Sequence, residues 1–183
     1  MAYPLLAPTA RLERLDPLTK QYYLKRSNSL DGLTYLQVCR PPNCEYDTSG
    51  DYAAIRWLNA HIQGDPVIVE ASGAEYSSYG RVSAFTGLPT VMGWAGHEYQ
   101  WRVNWLKSGD ITTDLEHRLS DIDTIYKNPS SNVVLSTMAR YHAQYIYVGS
   151  LEFKKYPGVD LHRFSAFMET TYSADGVTIY KVP

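Results

Sequence analysis

The sequence predicts an α/β fold, because segments with apolar residues at helical spacing alternate with short, compact apolar runs. The runs "PVIVEA" and "QYIYVGS" are rich in β-branched and aromatic residues. Each is bounded by turn residues, as strands buried on both faces tend to be. Near the end, "SADGVTIY" carries an Asp-Gly pair between two strand-like stretches, a hairpin signal.

Taken in order, residues 1 to 48 read as an irregular arm packed on the domain, since Pro4, Pro8, Pro17, Pro41 and Pro42 interrupt any helix. A short element is expected around "LDGLTYLQV". A single α/β domain then occupies residues 49 to 183. Its first helix lies in "SGDYAAIRWLNAHIQGDP", with Asp51 as a cap, Ala54, Trp57, Leu58 and Ile62 at helical spacing, and Gly64 and Pro66 as the stop. "PVIVEA" follows as a strand. "LPTVMGW" is a second apolar run and is expected to add a neighbouring strand. A helix over "TTDLEHRLSDIDTIYK" has the stripe Leu115, Leu119, Ile122 and Tyr126, with Thr113 or Asp114 as its cap.

A Pro-Ser start opens the helix of "PSSNVVLSTMARYHA", with Val134, Met138 and Tyr141 on one face. "QYIYVGS" is the third strand. "HRFSAFMETTYSADGVTIYKVP" closes the chain as a short helix and a hairpin turning at Asp175 and Gly176. The sum is a three-layer α/β/α sandwich, Rossmann-like, with a mostly parallel sheet and a C-terminal hairpin.

Composition excludes some function classes. With 17 basic against 19 acidic residues the chain has a formal charge of -2, too little positive field to hold nucleic acid. No apolar run approaches the roughly 20 residues of a membrane helix, and no secretory signal is visible at the start. Cys39 and Cys44, in "CRPPNC", are close enough for a local disulfide and could equally be two free thiols. No metal site is expected, for no second Cys or His pair has zinc spacing. No cofactor is expected either.

The stretch "GRVSAFTGLPTVMGWAGHEYQWR", Gly80 to Arg102, concentrates the candidate functional residues. "HEYQW" begins like a zinc-protease motif, but Trp101 stands where the second histidine is required. The glycines match neither a dinucleotide fingerprint nor a phosphate loop. Four of its residues have chemistry to offer: His97 and Glu98 as a general acid and base pair, and Arg81 and Arg102 as two-pronged anion holders. Trp94, Trp101, Tyr76 and Tyr79 could stack on sugars or pack in the core. Glu70 ends its strand at the edge where open α/β sheets gather ligands, or else pairs with Arg81 or caps nearby amides. Glu70, Arg81, His97 and Arg102 are expected to cluster.

The run from "DYAAIRWLNAHIQGDPVIVEA" through "YSSYGRVSAFTGLPTVMGWAGHEYQWR" to "DIDTIYKNP" and "YHAQYIYVGSLEFKKY" resembles the Chlor_Arch_YYY family, over residues 29 to 183. Members are uncharacterised proteins predicted to be multi-spanning in the membrane. The resemblance implies the soluble C-terminal part of a larger membrane protein, akin to membrane glycosyltransferases that use lipid-linked sugars. It implies a place on the extracytoplasmic face, with the spanning part of the same parent chain as partner and a glycan or lipid-phosphate sugar as ligand. Chemistry would then lie outside this chain. The positions carried over as substrate-binding are Glu70, Tyr76, Tyr79, Arg81, Ser83, Thr86, Trp94, His97, Glu98, Gln100, Trp101 and Arg102; the family pattern is broken at Val103, where a small residue is expected. The competing expectation is a self-contained hydrolase using His97 and Glu98.

Overall fold

A computed structural model describes residues 31–42, 44–106 and 111–183, with side chains throughout except at 103–106 and 111–113. The proline-interrupted arm before residue 31 and the side chains of Val103 and Thr113 therefore lie outside what is described; the helix expected to start at Thr113 or Asp114 begins at Ile111, so both lie in its first turn and neither is its cap. The elements run α1 (Leu33–Val38), α2 (Ser49–His61), β1 (Val67–Val69), α3 (Arg81–Thr86), α4 (Ala95–Leu106), α5 (Ile111–Lys127), α6 (Ser131–Arg140), β2 (Ala143–Val148), α7 (Ser150–Lys155), a 3-10 turn (Leu161–Ala166), β3 (Glu169–Ala174) and β4 (Val177–Lys181). α1 is the short element expected in "LDGLTYLQV".

The sheet is open and mixed, in the order β1-β2-β4-β3. β1 and β2 are parallel, while β2 with β4 and β3 with β4 are antiparallel. The balance is thus less parallel than the sequence implied, because "LPTVMGW" does not extend into a strand. Thr90 alone forms a parallel bridge to Ile68 there, beside a bond from the Ile68 amide to the Pro89 carbonyl. Proline has no amide to continue the ladder, and Gly87, at φ 74°, turns the chain just before it. Val91 and Met92 are buried in the core instead. The hairpin turns as expected at Asp175 and Gly176, both with positive φ.

Side chains alternate along the strands and feed two apolar clusters. Ile68, Tyr145, Tyr147, Val177 and Ile179 pack with Ala54 and Leu58 of α2 and Val82 of α3. Val69, Ile146, Val148 and Tyr180 pack with Leu115, Ile122, Ile125 and Tyr126 of α5, Val134 and Met138 of α6, and Phe164. A period of two on each strand sends neighbours to opposite faces, which separates the clusters. The expected stripes of α2, α5 and α6 all meet the core, with Trp57, Ile62, Leu119 and Tyr141 at its margins.

Asp51 does not cap α2. The Asp47 carboxylate accepts from the Ser49 amide at 2.9 Å, leaving Asp51 in the first turn, buried and facing inward. Cys39 and Cys44 are bridged, with Cα atoms 5.7 Å apart, and the bridged loop leads directly to Tyr46.

Candidate functional site

At the carboxyl edge of the parallel pair, β1 gives way to Glu70 and β2 to Gly149. Glu152, in the first turn of α7, accepts from the Ala71 amide at 3.1 Å and the Gly149 amide at 2.9 Å, tying the two strand exits together. The same carboxylate faces Arg81, whose Nη2 donates to Oε2 at 2.9 Å. Arg81 Nε donates to Asp51 Oδ2 at 2.6 Å, and the hydroxyls of Tyr46 and Tyr147 each donate to Asp51 at 2.6 Å. Arg81, Asp51 and Glu152 are buried. Gly149 leaves the room they need, since a Cβ there would sit 3.2 Å from both Arg81 Nη2 and Asp51 Oδ1.

Buried ions persist only when paired and hydrogen-bonded, and here each one is. Burial by itself would lower the Arg81 guanidinium, but Glu152 and Asp51 hold it well above its ordinary value. Burial, reinforced by Asp51, pushes the Tyr147 phenol up, so it stays protonated and donates. The edge where a ligand would ordinarily enter an open α/β sheet is filled by the protein's own charges.

Glu70 is also buried, and its two oxygens accept from the amides of Val82 and Ser83 at 2.9 Å each. These donors belong to the first turn of α3, which has no other side-chain cap. Burial pushes the Glu70 carboxyl up, while Arg81 and the two amides pull the other way. The consequence is mechanical: the Glu70 bonds pinch together the two ends of the loop from Ala71 to Gly80. Ser83 Oγ and Thr86 Oγ1 complete the local bonding, donating to the carbonyls of Gly80 and Val82.

The pinched loop carries Glu75, Tyr76 and Tyr79 out to α4. The Glu75 carboxylate accepts from the amides of Gly96 at 2.6 Å and His97 at 3.2 Å, which caps α4 and explains why a glycine-containing segment forms a helix. Trp94 donates from Nε1 to the Tyr79 carbonyl at 2.7 Å. His97 Nε2 accepts from Trp101 Nε1 at 2.8 Å, one helical turn away. Tyr76, Trp94 and His97 form a ring triangle with centroid separations of 5.3, 6.0 and 6.1 Å, and Trp101 continues it 5.9 Å from His97. Tyr76 is 70% exposed and Trp101 77%. Tyr99 is a second exposed ring on α4, turned to another side of the helix from His97 and Trp101.

Eight of the twelve residues singled out in the sequence fall into two groups. Glu70, Arg81, Ser83 and Thr86 belong to the buried edge and its capped helix. Tyr76, Trp94, His97 and Trp101 make the aromatic face, with Tyr79 half-buried between the two groups, its hydroxyl directed at the Leu151 carbonyl. Glu98 pairs with Arg102 at 2.9 Å, and Gln100 is exposed. Among the described residues, no hydrogen bond or ion pair joins Glu70 and Arg81 to His97 and Arg102. His97 and Glu98 are engaged one turn along α4 by different partners. No group of three potential metal ligands occurs among the described residues.

Sequence reasoning passed over Glu152, Tyr46, Tyr147 and Glu75 and misread Asp51. No family model, curated protein or solved structure matches the chain.

Proposed function

We propose that this chain is a binding domain of a glycosyltransferase-like membrane protein, holding a glycan or lipid-linked sugar for chemistry performed elsewhere in the parent. The reading places it in a three-layer α/β/α sandwich of the Chlor_Arch_YYY kind, on the extracytoplasmic face, against the spanning part of the same chain. The observation that carries it is the aromatic face of Tyr76, Trp94, His97 and Trp101, on which Tyr76 and Trp101 are exposed and the other two half-buried. Exposed aromatic rings joined into one surface mark a contact site. The Cys39 to Cys44 bridge supports an oxidising location. Among the described residues no helix is long and apolar enough to cross a membrane, so spanning segments would have to come from elsewhere in the parent.

A binding role is favoured over hydrolysis by where the titratable groups are engaged. Glu70 caps a helix, Arg81 is neutralised by two carboxylates, Glu98 is paired with Arg102 and His97 with Trp101. A general acid and base pair needs both groups directed at one reacting position. The test is a glycan array together with titration of polyprenyl-phosphate sugars onto the 183-residue chain. Retention of a glycan or lipid-linked sugar without cleavage is expected. Release of new reducing ends would restore the hydrolase, and retention of neither ligand class would remove the binding role.

A further inference from the structure

Resting on that binding role, we infer that the face formed by Tyr76 and Trp101 is a subsite for neutral pyranosides, which stack their C–H faces on the two exposed rings. The case begins with what these rings present to solvent. Both tryptophans at the site engage their indole N–H within the protein, Trp94 with the Tyr79 carbonyl and Trp101 with His97 Nε2 one turn back along α4. Their polar atoms are occupied, so ring surface is what remains for a ligand. The same bonds fix the ring planes before any ligand arrives, which lowers the entropy lost on binding.

Charge decides the ligand class. Among the described residues, the acidic groups engaged with α4 beside the face are Glu75 and Glu98, and the cation paired there is Arg102. Glu98 and Arg102 neutralise each other, and Glu75 is held by two amides. No described cation at the face is left to meet a sulfate, a phosphate or an anionic lipid headgroup, and the uncancelled charge there is negative. A neutral ligand with apolar patches and hydroxyls fits this better than any anion. Among the described residues the exposed rings of this face are a phenol and an indole, Tyr76 and Trp101. A sugar can offer its C–H groups to such rings and its hydroxyls to the rim.

His97 acts here as a positioning residue. It sits at the centre of the ring chain and orients Trp101 through Nε2, while its Nδ1 is closed off from solvent and has no partner among the described residues. Replacing it removes the bond that fixes the Trp101 plane without removing a stacking ring.

The experiment is isothermal calorimetry of the 183-residue chain with cellohexaose, mannohexaose and chitohexaose, with a sulfated oligosaccharide and with phosphatidylcholine and phosphatidylglycerol vesicles as the other arms. At least one neutral hexasaccharide is expected to bind. Trp101→Ala and Tyr76→Ala should each weaken it about ten-fold at unchanged melting temperature, since both side chains are exposed. His97→Phe should weaken it less while broadening the Trp101 signals in an NMR spectrum. Sugar binding that survives both alanine variants would overturn this subsite and leave the binding role of the domain standing. Preference for the sulfated ligand or for either vesicle would likewise overturn it. Absence of binding in every arm would remove the subsite, and the role on which it rests would fall with it only if polyprenyl-phosphate sugars also fail to bind.

Discussion

Arg81 and Glu152, 71 residues apart in sequence, meet through Nη2 and Oε2 at 2.9 Å inside the fold, and Glu152 in turn bonds the exits of both parallel strands. This pair therefore works as a clamp at the sheet edge. Removing one partner of a buried ion pair strands the other charge, at a cost of about 3–5 kcal/mol. Arg81→Ala and Glu152→Ala should each lower stability by that order in urea unfolding. A variant that melts like the parent but loses ligand would instead make Arg81 a ligand contact.

Gly149 has extended backbone, so its requirement is space. Gly149→Ala places a methyl against the Tyr147 ring, 3.0 Å from its nearest atom, as well as against Arg81 and Asp51. Overpacking of this kind costs about 1–3 kcal/mol. Denaturant midpoints check it, and an unchanged midpoint would mean that the buried network is looser than described.

The Cys39 to Cys44 bridge closes a short loop and should contribute about 2 kcal/mol by chain entropy. It also leads into Tyr46, whose hydroxyl reaches Asp51. Reduction, or Cys39→Ser with Cys44→Ser, is expected to lower the melting temperature and to increase hydrogen exchange around residues 44–48. Equal exchange with and without reductant would separate the bridge from the network.

Much of the fold was legible because it depends on local pattern. The stripes of α2, α5 and α6, the strands "PVIVEA" and "QYIYVGS", and the Asp175-Gly176 turn are set by residues close together in the chain. The buried edge was not legible, because Asp51, Arg81 and Glu152 are recognisable as a unit only once α2, α3 and α7 are packed together. Asp51 in particular has the composition and place of a helix cap, but α2 begins two residues earlier, at Ser49, so Asp51 falls in its first turn and is buried. Of the weighed alternatives for Glu70, amide capping is what the structure contains. Over "GWAGHEYQWR" the sequence suggests a loop or short helical turn, and the full length of α4 was not legible because its cap, Glu75, comes from a separate segment.

Alkaline pH probes the phenols. Burial, together with the bond to Asp121, pushes Tyr141 up to about 12. Burial also raises Tyr126 and Tyr147. A folded-state value above the unfolded value of roughly 10 gives stability that is complete below pH 10 and is lost as pH rises toward the folded value. The melting temperature should fall above pH 10, and Tyr141→Phe should make that fall shallower. A melting temperature independent of pH up to 11.5 would contradict these environments.

The division between a rigid buried edge and a working aromatic face is tested most directly by hydrogen exchange of the 183-residue chain, with and without a saturating mixture of the three neutral hexasaccharides. The account predicts new protection confined to residues 74–79 and 94–102, with the amides of Ala71, Val82, Ser83 and Gly149 already protected and unchanged. Protection that instead appears at Ala71, Val82 or Gly149 would contradict it, placing the ligand at the sheet edge that Arg81, Asp51 and Glu152 are argued to fill.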